Sequence, residues 1–409
     1  MMTLHANQNR IMDRLDRLAG FSDVPAPAVT RIVFSPVDLA ARAYFKSLCE
    51  GFAIREDAVG NTFVRWVGSE PELSAVGTGS HIDAIPHSGR YDGTVGVLGG
   101  LESMEALREN GFKPRRSIEL LLFTSEEPTR FGIGCLGSRL LCGNLDATAG
   151  DRLKDSSGMT LNQVRAAAGF TGALEDVRLQ PGYYHAFAEL HIEQGPLLEQ
   201  RRVPLGVVTA IAAPASLKIT VEGEGGHAGA VLMPGRHDAF LGAAEIALAL
   251  EASAKSSGAV DTVATTGICN IFPGAVNSIP SRVEMTVDAR DIELARRDAM
   301  LQELSKACDQ IAASRGLRVS TEVVNADAPA HCDPRVVEAL AAACADQPFD
   351  RMVSRAYHDS LFISRIAPTS MLFIPCRAGV SHRPDEYSSP EDIVRGTEVL
   401  ARALAHLAS

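Results

Sequence analysis

Ser117-Ile118-Glu119-Leu120-Leu121-Leu122-Phe123-Thr124 is nearly continuous in apolar residues and runs straight into Ser125-Glu126-Glu127-Pro128. An apolar run of that length reads as a strand buried on both faces, the habit of parallel strands in α/β sheets. Function in such sheets sits at the carboxyl ends of the strands, which is where the two acids fall. Adjacent carboxylates repel each other, and the repulsion is tolerable when a cation neutralises one while the other shares a proton with bound water. One glutamate is then a ligand and its neighbour a base. A solvated acidic turn is the plainer alternative, and the pair alone does not separate the two.

Upstream, Gly79-Ser80-His81, then Asp83, then Arg90-Tyr91-Asp92-Gly93 set a histidine and an acid on either side of a turn. A dinuclear centre needs neutral imidazoles at the outer positions and one carboxylate whose two oxygens reach both ions, and Asp92 is the natural bridge. A structural His–Asp pair at a strand end would look the same in isolation. Downstream, Ala188-Glu189-Leu190-His191-Ile192-Glu193-Gln194-Gly195 places an imidazole and an amide at the end of another short strand. Near the C-terminus, Gly379-Val380-Ser381-His382-Arg383-Pro384-Asp385-Glu386 follows the apolar run Ser370 to Pro375 and adds a further histidine. His81, Asp92, Glu127, His191 and His382 thus form a mixed nitrogen and oxygen donor set, with Glu126 left over.

The chain has 409 residues, 46% of them hydrophobic, which is too long for one ordinary core and enough to fill two. A formal charge of −11 argues against nucleic acid or an anionic membrane as partner. No apolar run is long enough for a membrane span, and Met1 to Arg10 lacks the apolar core of a signal peptide, so a cytoplasmic protein is expected. Eight cysteines are scattered without a C-x-x-C pair, which reads as reduced, mostly buried thiols.

Helices are expected near Arg10 to Ala19, Pro36 to Glu50 and Val95 to Asn110, between short apolar strands, which means a doubly wound α/β sheet. From Ala215 to about Asn325 the order changes to strand, helix, strand, strand, helix, strand, the ferredoxin-like βαββαβ order, with its first helix expected over Arg236 to Ala252. His81 and His382 can share a site only if the first and last segments fold together, so the middle segment must be inserted. The expected division is a discontinuous catalytic domain, 1–212 with 328–409, and an inserted domain, 213–327. Within the insert, Gly225-Gly226-His227-Ala228-Gly229 surrounds an imidazole with residues that permit close backbone approach, and Asn277 lies in a Pro/Ser loop before the strand ending at Arg290. Arg290 offers a planar fork suited to a substrate carboxylate, and equally to an ordinary salt bridge with Asp288 or Asp291.

Seven motifs in this order, GSHID (79–83), RYDG (90–93), TSEEPTRFG (124–132), ELHIEQGP (189–196), GEGGHAG (223–229), NSIPSRVEMTVDARD (277–291) and AGVSHRPDE (378–386), resemble the metal-dependent amidohydrolases of the aminoacylase and carboxypeptidase clan. The branch is the one acting on ureido compounds, and SEEPTRFG, CLGSRLL, HAGAVLMPGRHDA and SRAYHDSLF are most similar to its ureidoglycolate amidohydrolases. The resemblance implies two divalent ions, manganese favoured over zinc, cobalt or nickel. His81, Asp92 and His191 would hold one, and Asp92, Glu127 and His382 the other, with Asp83 orienting His81. Glu126 would be the general base and then the acid, and His227 would polarise the scissile carbonyl. Gln194, Asn277, Arg290, Tyr357, His358, Gly379 and Ser381 would contact a small ureido acid. The insert would act as lid and homodimer interface, some lid residues serving the partner subunit. Ala378 and Arg383 lie in the C-terminal loop where members of the branch differ, and His87 lies in the turn between His81 and Asp92. The rival expectations are a sibling substrate (allantoate, an N-carbamoyl amino acid or N-carbamoyl-beta-alanine), an aminopeptidase or acylase of the wider clan, and a ligand-binding protein on an inactive scaffold.

Overall fold

The computed structural model describes residues 4–409; Met1, Met2 and Thr3, which the sequence assigns to the catalytic segment, lie outside the described residues. Two compact units are present. One comprises the described residues up to Thr209, with Cys332–Ser354 and His358–Ser409, and the other Ala210–His331 and Arg355–Tyr357.

The first unit is built on a mixed sheet. Its strands Thr369–Ile374, Tyr184–Ile192, Ala75–His81 and Ile118–Phe123 lie side by side in that order and run parallel. Antiparallel strands flank them, with Gly206–Ile211 against Thr369–Ile374 on one side and Thr62–Trp66, then Ala53–Glu56, on the other. The apolar run that opens the sequence reading is the strand Ile118–Phe123, buried at every position. Helices Thr94–Glu109 and Pro390–Ala408 pack on each other and on the sheet, burying Val97, Leu101, Leu400 and Leu404. Ser389 caps the second of these, accepting the Asp392 N–H, with Pro390 at its first position, where the missing N–H costs nothing.

Strands of the second unit order as Val263–Phe272, Arg282–Asp291, Ala213–Glu222, Arg318–Ala326, all antiparallel. Residues on one face of the two central strands, among them Ile219, Val221, Val283, Met285 and Val287, are buried against helices Ala239–Ser256 and Leu294–Arg315. That alternation is the period-two signature of a half-buried sheet. The first helix begins at Ala239 rather than Arg236 because Asp238 turns back to accept the N–H groups of Phe240 and Leu241. The strand Val263–Phe272 is an edge, and Ile268 on it is 55% exposed. No helix among the described residues is long and apolar enough to cross a membrane.

Candidate metal centre

Parallel pairing carries the first candidate ligands to one end of the sheet. His81 ends the strand Ala75–His81, His191 stands one residue from the end of Tyr184–Ile192, and Glu126 and Glu127 follow Ile118–Phe123. Asp92 precedes the helix Thr94–Glu109, whose cap Gly93 has φ 65°. A Cβ on Gly93 would stand 2.5 Å from the His81 ring, so the chain can pass here only as glycine.

Each buried imidazole is turned by its Nδ1. His81 Nδ1 lies 3.1 Å from the Asp83 carbonyl and His191 Nδ1 2.9 Å from the Ile192 carbonyl; a carbonyl only accepts, so Nδ1 carries hydrogen and Nε2 is the free donor atom. Both Nε2 atoms face one oxygen of Asp92, at 3.4 and 3.3 Å from Oδ1, and His191 Nε2 also accepts the Gly93 N–H at 3.1 Å. His382 Nε2 lies 3.2 Å from the other oxygen, Asp92 Oδ2, and 3.5 Å from Glu127 Oε1. Two three-residue groups therefore share Asp92: His81, Asp92 and His191, and Asp92, Glu127 and His382. A third close group, Glu189, His191 and His358, is wholly buried, and the two Glu189 oxygens there accept the hydroxyls of Ser80 and Ser360.

The surroundings are strongly negative. Burial, with the carboxylates of Glu127 and Asp92 adding to it, raises the Glu126 carboxyl to about 8 against the opposing pull of His81. Burial and Asp92 likewise push Glu127 well above its ordinary value. Burial disfavours the charged form of His81, yet Glu126, Asp83 and Asp92 hold its pKa well above that of a free imidazole. Burial also opposes ionisation of Asp92, and the imidazoles of His191, His382 and His81 that face it outweigh burial and keep Asp92 well below the usual carboxylate range. Glu126, Glu127 and His81 all cling to protons, which marks a pocket short of positive charge. Divalent cations suit it, and the nitrogen and oxygen donors without thiolate suit manganese as well as zinc.

Asp83 acts on both sides of the centre. Its carbonyl holds His81, while its carboxylate accepts the N–H of Glu126 at 3.2 Å and of Glu127 at 3.0 Å, fixing the acidic turn. Ser125 before that turn, Gln194 and His382 all have φ between 56° and 59°, a left-handed backbone uncommon outside glycine and concentrated here around the ligands.

Other expected site residues fall as follows. Gln194 Nε2 donates to Asp92 Oδ2 at 2.7 Å, and its Oε1 is buried without a hydrogen-bond partner. Ser381 Oγ lies 3.0 Å from Asp92 Oδ2, and Gly379 closes a short turn with φ 67°. His358 is buried, its ring 4.5 Å from that of His191 and its Nε2 3.1 Å from Ser354 Oγ. His227, Asn277, Arg290 and Tyr357 belong to the second unit. There His227 pairs through its backbone with Ser278, the Asn277 carbonyl accepts the Ala228 N–H, and Arg290 grips Asp288 at 2.7 and 3.3 Å and the Arg355 carbonyl at 3.2 Å. Glu386 is the last residue of the AGVSHRPDE motif. Its carboxylate holds the backbone of Tyr91 and Asp92, a contact across a separation of 295 residues that no local spacing reveals.

The family model described as Peptidase family M20/M25/M40 matches residues 77–406, the span that holds every one of these candidate ligands. The chain belongs to peptidase family M20/M25/M40. Members of the M20 family are metal-dependent, in keeping with the donor groups found here. Among M20/M25/M40 relatives, the chain is 51% identical over 408 residues to a ureidoglycolate hydrolase of Arabidopsis thaliana, covering 97% of this chain and 86% of that protein. It is 35% identical over 404 residues to an N-carbamoyl-L-amino acid amidohydrolase of Geobacillus stearothermophilus, covering 98% of each. The crystal structure of AtUAH in complex with glyoxylate superposes with a TM-score of 0.90 at 49% identity, covering 99% of this chain and 98% of that one.

Proposed function

We propose that this chain hydrolyses the terminal ureido C–N bond of ureidoglycolate, giving ammonia, carbon dioxide and, after loss of a second ammonia, glyoxylate. The observation that carries the proposal is the 51% identity to a ureidoglycolate hydrolase, against 35% to an N-carbamoyl-amino-acid amidohydrolase, in a chain whose two donor groups share Asp92.

His81, Asp92 and His191 would hold one divalent ion and Asp92, Glu127 and His382 a second, manganese being favoured. Bound there, the ions would lower the pKa of a water from ~15.7 toward ~7 and polarise the ureido carbonyl. Glu126 lies outside both donor groups with its Oε2 3.8 Å from His81 Nε2, and it is held by its backbone to Asp83. It takes the proton of the attacking water and returns it to the leaving nitrogen. Gln194 donates to Asp92 and keeps its buried Oε1 free, an acceptor suited to a ureido N–H. The family resemblance gives His227 the role of polarising the carbonyl. It gives Asn277 and Arg290 substrate contacts, Arg290 for the carboxylate, with Tyr357, His358, Gly379 and Ser381 as further contacts. The exposed apolar side chains of the second unit, Leu248 at 64% and Ile268 at 55%, support its role as a homodimer surface. Cysteines without disulfides fit a reducing, cytoplasmic compartment.

The test is a substrate panel. Manganese-loaded protein is given ureidoglycolate, allantoate and N-carbamoyl-amino acids, with ammonia and glyoxylate measured. Rapid turnover of ureidoglycolate alone, yielding two ammonia per glyoxylate, is expected; preference for another ureido acid would overturn the substrate assignment while leaving the centre in place.

A further inference from the structure

Glu386 belongs to neither donor group, is 4% exposed, and uses its carboxylate on the scaffold of both loops that meet at Asp92. Oε1 accepts the N–H of Tyr91 at 2.8 Å and of Asp92 at 3.1 Å, and Oε2 faces the hydroxyl of Ser381 at 2.8 Å. Ser381 immediately precedes His382, and its hydroxyl also reaches Asp92 Oδ2 at 3.0 Å. Gly89 packs so closely on the Glu386 side chain that any Cβ there would overlap the carboxylate. Next to it, the Tyr387 ring meets Tyr91 edge-on at 6.1 Å and carries the Arg377 guanidinium at 4.5 Å.

The two donor groups differ in what holds them in place. His81 and His191 lie on paired parallel strands and are buried. His382 sits in a loop with φ 59° and a side chain 48% exposed. The sheet thus fixes the first group, and the second depends on how firmly the His382 loop is tied to the Asp92 turn. We infer that Glu386 is a positioning residue for the His382 group, setting the separation of His382 from Asp92 and thereby the affinity of that one ion position. The inference rests on the two-ion reading given above.

The experiment is calorimetric titration of metal-free full-length protein with manganese(II), for wild type, Glu386→Ala, Glu386→Gln, His382→Ala and the double variant His382→Ala/Glu386→Ala, each first checked by its melting curve. Wild type is expected to take two ions. Glu386→Ala and His382→Ala should each keep one ion near its wild-type affinity and weaken the other at least about tenfold, the scale of a lost charge-assisted hydrogen bond. The double variant should match His382→Ala alone, because both changes act on one position. Glu386→Gln keeps an Oε1 acceptor for both N–H groups and should recover the second ion to within about threefold, since neutral hydrogen bonds retain much of the geometry. If Glu386→Ala does not fold, Glu386→Asp, which keeps the charge but falls one methylene short, should show the same single-ion loss. Two ions at wild-type affinity in the Ala or Asp variant, equal weakening of both ions, or an additive loss in the double variant would overturn the inference. A wild-type chain that takes up fewer than two ions would instead overturn the two-ion reading, and the positioning role with it.

Discussion

Replacing Glu126 by Gln separates proton transfer from metal binding. The backbone of residue 126 is anchored twice, its N–H on Asp83 Oδ1 at 3.2 Å and its carbonyl accepting the Cys135 N–H at 2.8 Å, and neither bond involves the side chain. Oε1 accepts the Cys135 thiol at 3.5 Å, which an amide oxygen also does, while Oε2 stands 3.8 Å from His81 Nε2, too far for a hydrogen bond that the amide could disturb. The change is therefore isosteric and leaves both donor groups where they are. A positioned acid–base group contributes roughly 10²- to 10⁴-fold in rate, or about 3 to 5.5 kcal/mol at 1.36 kcal/mol per decade. The variant should bind manganese within about threefold of wild type, keep KM within a similar factor, and lose at least about 10² in kcat. Metal content by mass spectrometry and coupled assay of ammonia release from ureidoglycolate read both quantities on one preparation. A near-normal kcat would show that the proton goes elsewhere; loss of the metal would show that Glu126 is a ligand.

Asp83→Ala strands the buried N–H groups of Glu126 and Glu127. At roughly 1 to 3 kcal/mol each, melting of the metal-free protein should fall by several degrees, and an unchanged melting temperature would contradict the role given to that carboxylate. Arg290→Ala should raise KM for carboxylated ureido substrates about 10- to 100-fold with a smaller effect on kcat, the scale of one charged hydrogen-bonding pair. An unchanged substrate profile would leave Arg290 with only its contacts to Asp288 and the Arg355 carbonyl. Ile268→Glu places a charge on the exposed edge strand. If the proposed homodimer forms through this edge, light scattering should then move from twice the chain's 43.5 kDa toward one chain, whereas an unchanged mass would contradict that interface.

Legibility in the sequence followed the range of the interactions. The strand Ile118–Phe123 and the acids behind it could be read because burial on both faces leaves an uninterrupted apolar run. The second unit's strand and helix order was equally plain, its alternation being local. Helix starts set by a side chain were less so: Asp238 moves one by three residues, and only its cap geometry says so. Ordered motifs pointed to the residues that the structure gathers around Asp92, but not to what orients them. That His81 is turned by the carbonyl of Asp83 while the carboxylate serves Glu126 and Glu127 is a division of labour within one residue. Arg290 kept two readings open because a guanidinium two residues from an aspartate on a strand can point either way; here it grips Asp288. The role of Glu386 is not legible in the sequence because the backbone groups it holds, those of Tyr91 and Asp92, lie far along the chain and are joined to it only by folding.

Anomalous diffraction from crystals soaked in manganese tests the central claim most directly. Two peaks separated by about 3.5 to 4 Å are predicted, as in two-metal hydrolases. One should lie among His81, Asp92 and His191 and the other among Asp92, Glu127 and His382, with Asp92 between them. A single peak, or peaks away from Asp92, would contradict the shared-carboxylate centre from which the proposed chemistry is built.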